Sequence, residues 1–178
     1  MKRLSADTKP KLLWPEKLTD YDMVRQLFTE YAASLEFDLD FQDFNEEIKR
    51  LPGYYDPPDG CLILAVMDTA PVGCVALRRI DGRICEMKRL YTVPSIRGSG
   101  VGRVLVTTVI QAARNIGYEK MRLDTVPSMK SARYIYASVG FEEIKPYRYN
   151  PIEGATYMEL ELSSKTVQQI DIEKVTHE

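Results

Sequence analysis

The sequence predicts a single α/β (α+β) domain, built on a mixed, mostly antiparallel twisted sheet of about six to seven strands with helices on both faces and one central β-α-β unit. Strand-like runs and helix-spaced segments follow one another in the order β-α-α-β-β-β-α-β-α-β-β. The turn sequences DTAP and DGR join three consecutive strands, which are therefore expected to be antiparallel neighbours. A helix then connects the third of these strands to the next one and gives the β-α-β unit.

Length and composition agree with one domain. The chain has 178 residues, of which 44% are hydrophobic and 28% are charged. We expect an N-terminal tail at 1–10, the domain at 11–164 and a polar C-terminal tail at 165–178. The net charge of −2 argues against nucleic-acid binding, which favours a basic surface. No apolar run reaches the roughly 18 residues that span a bilayer, and the N-terminus does not resemble a secretion signal, so we expect a cytoplasmic protein without a membrane partner.

The cysteines and the histidine limit the possible chemistry. Cys61, Cys74 and Cys85 lack CxxC spacing and lie in apolar runs, so we expect buried, reduced thiols rather than disulfides or a metal site. The single histidine, His177, lies in the polar tail near the C-terminus. This excludes Ser-His-Asp and Cys-His catalysis and the HExxH zinc motif, and no metal is expected. A reaction here must use carboxylates, tyrosines, hydroxyls, a ligand or water.

The first third of the chain reads as a short strand and two helices. The strand KLLWP ends at Pro15, and a helix begins at Thr19–Asp20 and runs to about Leu35. Its apolar side is expected to contain Val24, Leu27, Phe28 and Tyr31. A second, acidic helix is expected at 41–50, followed by a loop at 51–60 that is rich in proline and glycine.

The remaining elements alternate strands with two further helices. Strands are expected at 61–67, 72–80, 85–93, 120–126, 141–147 and 156–162. The longer helix, at about 100–116, ends at Gly117 and has an apolar stripe formed by Val101, Leu105, Thr108, Val109, Ala112 and Ile116. The shorter helix begins at about Ser128, ends at Gly140 and has an apolar side formed by Ala132, Ile135, Tyr136 and Val139.

The stretch SIRGSGVGRVL places Gly98, Gly100 and Gly102 at the start of the longer helix, between two arginines. Glycine costs roughly 1 kcal/mol relative to alanine at such positions, so the bare backbone predicts an anion bound to its N–H groups. The GxxxxGK[ST] pattern of a nucleotide P-loop is absent, and the GxGxxG pattern fails because its third glycine would fall on Arg103. R-x-x-G-x-G remains, and the alternative is a tight turn without a ligand.

The segments EMKRLYTVPSIRGSGVGRVLV, MRLDT and SARYIYASVGF closely resemble the GNAT superfamily of acetyl-CoA-dependent N-acetyltransferases. The resemblance extends from about Leu12 to Leu162 and is strongest from Glu86 to Phe141. It implies that the strand before the glycines separates from the next strand of the sheet. It further implies acetyl-CoA as cosubstrate and an amine as acceptor.

The resemblance also implies which residues hold the coenzyme. The pantetheine arm would lie along the strand residues Leu90, Tyr91, Thr92 and Val93. The diphosphate would lie on Arg97, Gly98, Ser99, Gly100, Val101, Gly102 and Arg103. Many family members contact the arm with an asparagine seven residues before the catalytic tyrosine, but this chain has Met129 there, and Ser128 is a partial substitute.

Two residues are candidates for catalysis. Tyr136, in the Y-x-x-x-G-F motif, matches the family's proton donor to the coenzyme sulfur, although its place on the apolar side also fits a core residue. Glu86 matches the general base of some members, and the alternative is a surface ion pair with Lys88 or Arg89. Strand alternation places Glu86, Lys88 and Leu90 on one face, and Met87, Arg89 and Tyr91 on the other.

The acceptor is not identified by the sequence. An acidic segment contains Glu36, Asp38, Asp40, Asp43, Glu46 and Glu47. It would favour a cationic amine if it faced the acceptor site, and the alternative is a solvated helix face. The loop tyrosines Tyr54, Tyr55, Tyr147 and Tyr149 could cover the same site or pack elsewhere. Rival functions are an acyl-CoA-binding regulatory module, a nucleotide-binding protein and a structural domain. Separately, exposed edge strands favour a homodimer.

Overall fold

The computed structural model describes residues 9–163. The strands of this part of the chain are β1 (Lys11–Leu13), β2 (Cys61–Met67), β3 (Ala70–Asp81), β4 (Ile84–Thr92), β5 (Lys120–Thr125), β6 (Glu142–Ile144) and β7 (Thr156–Glu161). Its helices are α1 (Leu18–Ala33), α2 (Phe44–Lys49), α3 (Val101–Ile116) and α4 (Lys130–Ser138). Short 3₁₀ turns lie at Asp40–Gln42, Gly53–Tyr55 and Pro94–Ile96.

The strands form one sheet of seven in the order β1-β2-β3-β4-β5-β7-β6. Only β4 and β5 are parallel, and α3 connects them, so the predicted β-α-β unit lies at the centre of the sheet. The other neighbouring strands are antiparallel. The predicted fold class is therefore confirmed, and no helix within residues 9–163 is long and apolar enough to cross a membrane.

A hydrophobic core lies on each face of the sheet. On one face α3 and α4 cover strand residues such as Ile63, Leu77 and Met121. On the other face α1 covers strand residues such as Leu64 and Ala76. The three cysteines are buried and free, as predicted. Alternate residues of β2 and β3 therefore pack into the cores on opposite faces of the sheet. This explains why the sequences of these strands are continuously apolar.

The apolar stripe of α3 differs from the predicted one. Its fully buried positions are Val101, Leu105, Val106, Val109, Ile110 and Ala113. Thr108 and Ala112 lie at the margin of the buried side, and Ile116 is exposed. The prediction was wrong at Ile116 and missed Val106, Ile110 and Ala113, because these residues continue the apolar surface one residue further around the helix. Ala112 is partly buried and packs against the core, in line with the prediction.

Three element boundaries also differ. The expected helix at 41–50 is divided, because Asp43 has a left-handed φ of 52° between the 3₁₀ turn and α2. The expected strand at 141–147 pairs with β7 only over Glu142–Ile144, just before Lys145–Pro146. The helix expected from Ser128 begins at Lys130. His177, and with it most of the two expected tails, falls outside the described residues.

Candidate active site

β4 and β5 separate in the middle of the sheet. Their parallel pairing covers Ile84–Lys120, Cys85–Met121 and Glu86–Arg122 and ends there, although β4 continues to Thr92 and β5 to Thr125. A cleft opens between the two strand ends, as the resemblance implies. Its lining from the α1–α2 side consists of Tyr31, Phe37, Leu39, Phe41 and Gln42. The remaining lining comes from β4, β5, α4 and their loops, namely Met87, Lys88, Arg89, Leu90, Asp124, Thr125, Val126, Met129, Tyr136 and Asn150.

A bulge in β4 forms part of the cleft wall. Cys74 pairs with Tyr91 and Ala76 with Lys88, so β4 has one residue more than β3 across this interval. The extra residue is accommodated at Arg89, which has a left-handed φ of 58°. The predicted alternation is therefore wrong beyond Lys88.

The bulge changes which core each β4 side chain joins. Lys88, Arg89 and Tyr91 lie on the α1 side, whereas Met87 and Leu90 pack with the α3 core. Arg89 and Tyr91 therefore share the face of Lys88, toward α1 and α2, while Leu90 between them points to the opposite face.

A buried ion pair holds the bulge. Arg89 donates from Nε to Glu47 Oε1 at 2.9 Å and from Nη2 to Glu47 Oε2 at 2.6 Å. The hydroxyl of Tyr55 also donates to Glu47 Oε1, at 2.7 Å. Burial acts to raise the pKa of Glu47, but the hydrogen bonds and charge of Arg89 outweigh burial and hold this pKa below its usual range. Helix α2 thus fixes the bulge through a carboxylate 42 residues earlier in the chain.

The glycine turn, residues 97–103, connects the end of β4 to α3. Gly98 and Gly100 have left-handed φ values of 85° and 89°, and nothing lies within 4 Å of a Cβ placed on either. The first backbone hydrogen bond of α3 runs from the N–H of Val104 to Gly100 O. Within the described residues, the N–H groups of Gly98, Gly100, Val101, Gly102 and Arg103 have no protein acceptor.

These N–H groups fit an anion rather than a turn closed by its own side chains. Gly98, Ser99 and Gly100 are exposed, and the Ser99 hydroxyl donates to Ile96 O at 2.6 Å instead of blocking the turn. The side chains of Arg97 and Arg103 are exposed beside the turn. The helix dipole adds to the attraction of a negative group at this end of α3.

Tyr136 lies on α4 with its side chain toward the cleft. Only 6% of the residue is exposed, and its ring packs edge-on against Phe141 at a centroid distance of 5.7 Å. No hydrogen bond within residues 9–163 occupies its hydroxyl. Burial raises the pKa of Tyr136, so the phenol is protonated at neutral pH and has a proton to donate.

Glu86 is fully buried at the last β4 position that pairs with β5. Arg78 contacts Glu86 Oε2 at 2.7 Å, while the Tyr147 hydroxyl donates to Oε1 at 2.8 Å and Arg148 approaches Oε1 at 3.2 Å. Burial acts to raise the pKa of Glu86, but the positive charges of Lys88, Arg148 and Arg78 hold it below its usual range. The alternative of a surface pair with Lys88 or Arg89 is wrong, because the carboxylate is buried and its ion pairs are with Arg78 and Arg148.

Arg148 connects the two strands where they separate. Besides Glu86 on β4, it contacts Asp124 Oδ1 on β5 at 2.5 Å. Asn150 donates to the other oxygen of Asp124 at 2.7 Å. The segment between β6 and β7 therefore stabilises the end of the cleft where the β4–β5 pairing stops. Asp124, Arg148 and Asn150 were not predicted as site residues, because their relation to Glu86 depends on the fold.

Lys88 is a buried cation in the cleft wall. It is 7% exposed, and its Nζ donates to Gln42 Oε1 at 3.0 Å. Arg89 Nη1 donates to the same oxygen at 2.9 Å. Burial lowers the pKa of Lys88 to about 7, with Arg89, Arg148 and Arg78 adding to the decrease and Glu86 opposing it.

The acidic side chains of the segment 36–47 do not line the cleft. Glu36, Asp38, Asp40, Asp43 and Glu46 are exposed, and Glu47 is the buried partner of Arg89. The solvated face was thus the correct alternative for this segment. Its contribution to the cleft is Phe37, Leu39, Phe41 and Gln42. The pattern F-D-L-D-F was the available signal, because its apolar residues line the cleft whereas its two aspartates are exposed.

The other predicted site residues are placed as follows. Ser128 is exposed and Met129 lines the cleft, so a contact from Ser128 to the coenzyme stays a prediction. Of the loop tyrosines, Tyr55 and Tyr147 are bonded to Glu47 and Glu86, while Tyr54 and Tyr149 are exposed. Within residues 9–163, no cluster of three or more His, Cys, Asp or Glu side chains could hold a metal ion.

Comparison with known proteins identifies the family. The model of the acetyltransferase (GNAT) family matches residues 21–141. The chain belongs to the GNAT family. An N-acetyltransferase of Schizosaccharomyces pombe, itself uncharacterised, is 38% identical over 84% of this chain and 91% of the relative. As a GNAT acetyltransferase, the protein is an acyltransferase.

Solved structures share the fold at lower identity. An acetyltransferase of Streptococcus agalactiae has a TM-score of 0.71 at 23% identity, over 86% of this chain and 98% of that one. The yncA protein of Salmonella typhimurium, solved with its cofactor acetyl-CoA, has a TM-score of 0.64 at 18% identity, over 88% of this chain and 96% of that one.

Proposed function

We propose that this GNAT protein transfers the acetyl group of acetyl-CoA to a primary amine of a small molecule or peptide, by direct attack in a ternary complex. The observation that carries the proposal is the set of free N–H groups of the glycine turn, at the end of the strand whose opening from β5 forms the cleft. A diphosphate on the turn would direct the pantetheine arm along β4, beside Leu90–Val93, toward Tyr136. The amides of that arm can pair with a strand edge that β5 no longer covers.

Tyr136 supplies the proton that the reaction needs at sulfur. The amine nitrogen forms a bond to the thioester carbonyl carbon and the carbon–sulfur bond breaks. The Tyr136 hydroxyl donates its proton to the departing sulfur and regains one from solvent, while the amine releases its own proton to water. No side chain has to form a covalent intermediate, which agrees with the absence of a histidine from residues 9–163.

Substitution of Tyr136 tests this role. We expect Tyr136→Phe to lower kcat about 100-fold, because a general acid contributes at least this much, and to leave the Kd of CoA within about twofold. Steady-state kinetics and calorimetric titration with CoA measure the two quantities. Tyr134→Phe is the matched control, since Tyr134 is on the same helix and 74% exposed, and it should retain full activity. A Tyr136→Phe enzyme with the wild-type rate would remove the residue from the mechanism.

Glu86 is better suited to positioning than to accepting a proton. Two arginines and a tyrosine occupy its oxygens, and its lowered pKa makes it a weak base. We expect Glu86→Gln to reduce the free energy of unfolding by about 1–3 kcal/mol and to reduce kcat/KM. Because the reacting amine must be neutral, we expect kcat/KM of the wild type to increase with pH, and the variant should retain this increase. Loss of that pH dependence in the variant would instead identify Glu86 as the base, as the resemblance implies.

A thiol-release assay tests the proposal directly. The purified protein is mixed with acetyl-CoA and a panel of amines, and free thiol is measured. We expect release that depends on the amine and decreases in Tyr136→Phe. Coenzyme binding without release, unchanged in Tyr136→Phe, would favour a regulatory acyl-CoA-binding module. A larger thermal shift with ATP or NAD than with CoA would favour a nucleotide-binding protein, and no shift with any of them would favour a structural domain. A cytoplasmic location and a homodimer stay predictions. The homodimer was predicted from exposed edge strands, and the two edge strands of the sheet, β1 and β6, have three residues each.

A further inference from the structure

We propose that Lys88 forms an anion subsite in the cleft and that the acceptor amine carries a carboxylate, which this subsite binds. The inference rests on the proposed acetyl transfer and deepens it by naming the substrate class.

The charges around the cleft are unequal in number. Four cations lie at or beside its β4 wall, namely Arg78, Lys88, Arg89 and Arg148. These cations contact only three carboxylates within residues 9–163, namely Glu47, Glu86 and Asp124. Each arginine has at least one carboxylate within 3.2 Å, whereas no carboxylate of residues 9–163 lies within ion-pair distance of Lys88. When Lys88 is protonated, the excess positive charge is therefore on the one cation of the four whose hydrogen-bond partner is neutral.

The hydrogen bonds of Lys88 lead to the same conclusion. An ammonium has three N–H donors, and here one of them meets Gln42 Oε1, an oxygen already shared with Arg89. A buried charge without a counter-ion is costly, and a carboxylate beside Nζ would supply both the missing charge and an acceptor. Lys88 lines the cleft, so a molecule bound there can reach it.

The coenzyme phosphates are not available as this counter-ion. The glycine turn begins at Arg97, nine positions after Lys88, and Thr92 alone lies up to roughly 13 Å further along the bulged strand. A diphosphate on the free N–H groups of the turn therefore lies far from Lys88. This leaves the acceptor to supply the anion.

The neighbouring surface describes the rest of the acceptor. Phe37, Leu39 and Phe41 line the cleft on the α1–α2 side, where Gln42 also lies. An amine with a carboxylate and an apolar body, such as a hydrophobic amino acid, matches a cation beside an apolar wall. A polyamine would add positive charge beside Lys88 and is disfavoured.

Matched pairs of amines test the inference. Each pair contains an amino acid and the amine that lacks its carboxylate: L-phenylalanine with 2-phenylethylamine, and L-leucine with 3-methylbutylamine. The measured quantity is the ratio of kcat/KM within a pair, by thiol release. We expect wild type to favour the amino acid at least tenfold, Lys88→Met to lose this preference and Lys88→Arg to restore part of it. Lys145→Met is the matched control, because Lys145 is exposed on the segment that carries Arg148 and should keep the wild-type ratio.

A binding measurement separates this inference from the proposed function. The probe is 3-phenylpropanoate, which has the carboxylate and the apolar body but no amine, titrated into the CoA-loaded protein. We expect its Kd to rise at least tenfold in Lys88→Met. If no amine releases thiol, the proposed transfer fails, while binding that depends on Lys88 still supports the subsite. Equal binding by wild type and Lys88→Met, or a pair ratio unchanged by the substitution, overturns the inference even if other amines are acetylated.

Discussion

Replacing Gly100 by aspartate is expected to abolish the binding of CoA. The glycine turn presents N–H groups of Gly98, Gly100, Val101, Gly102 and Arg103 without protein acceptors, and a carboxylate among them would both occupy these donors and repel a diphosphate. Gly102→Asp should have the same effect. Calorimetric titration with CoA is the measurement. A thermal-shift assay supports it, because CoA at 100 times its Kd adds about 2.7 kcal/mol to the free energy of unfolding of a protein that binds it. The variants should show no such shift.

The design separates charge from backbone strain. Gly117, at the other end of α3, also has a left-handed φ, of 104°, and open space around a Cβ, so Gly117→Asp creates similar strain far from the turn. We expect this control to lose some stability and to keep its affinity for CoA. Gly100→Ala should lie between these cases, with weakened binding from strain alone. Undiminished affinity in both Gly100→Asp and Gly102→Asp would show that the coenzyme phosphates bind elsewhere.

The fold and the glycine turn could be predicted from the sequence because their signals are local. Each turn, strand or helix is indicated by residues that lie within a few positions of one another in the sequence. The glycines likewise directly precede the helix that follows them. The order of elements and the central β-α-β unit followed from these patterns. The free N–H groups are likewise a property of one short segment.

The β4 bulge and the groups around the cleft could not be predicted in this way. The left-handed Arg89 is stabilised by Glu47, 42 positions away, and nothing near Arg89 in the sequence indicates the bulge. A strict two-residue alternation therefore assigned Leu90 to the wrong face. Arg148 depends on the meeting of β4, β5 and the β6–β7 segment in three dimensions.

Removing the carboxylate of Glu47 is expected to cause the largest loss of stability among these substitutions. Glu47→Ala leaves the guanidinium of Arg89 and the hydroxyl of Tyr55 buried without their acceptor. Breaking a buried pair in this way costs about 3–5 kcal/mol, a large part of the roughly 5–15 kcal/mol that stabilises a typical domain. Urea unfolding at pH 7 measures the loss. Because Arg89 occupies the bulge, we also expect weaker binding of acetyl-CoA by the folded variant.

The neighbouring residue provides the control and the pH dependence provides a second test. Glu46 is on the same helix but is 54% exposed and pairs with Lys49, so Glu46→Ala should cost less than about 1 kcal/mol.

The folded state holds the pKa of Glu47 below its ordinary value of about 4.5. The stabilisation by the carboxylate is therefore complete above that value and decreases as the pH falls through the lower, folded-state pKa. The stability difference between wild type and Glu47→Ala should accordingly narrow below about pH 4.5. A difference that is small at pH 7, or that grows in acid, would show that the ion pair does not hold the bulge.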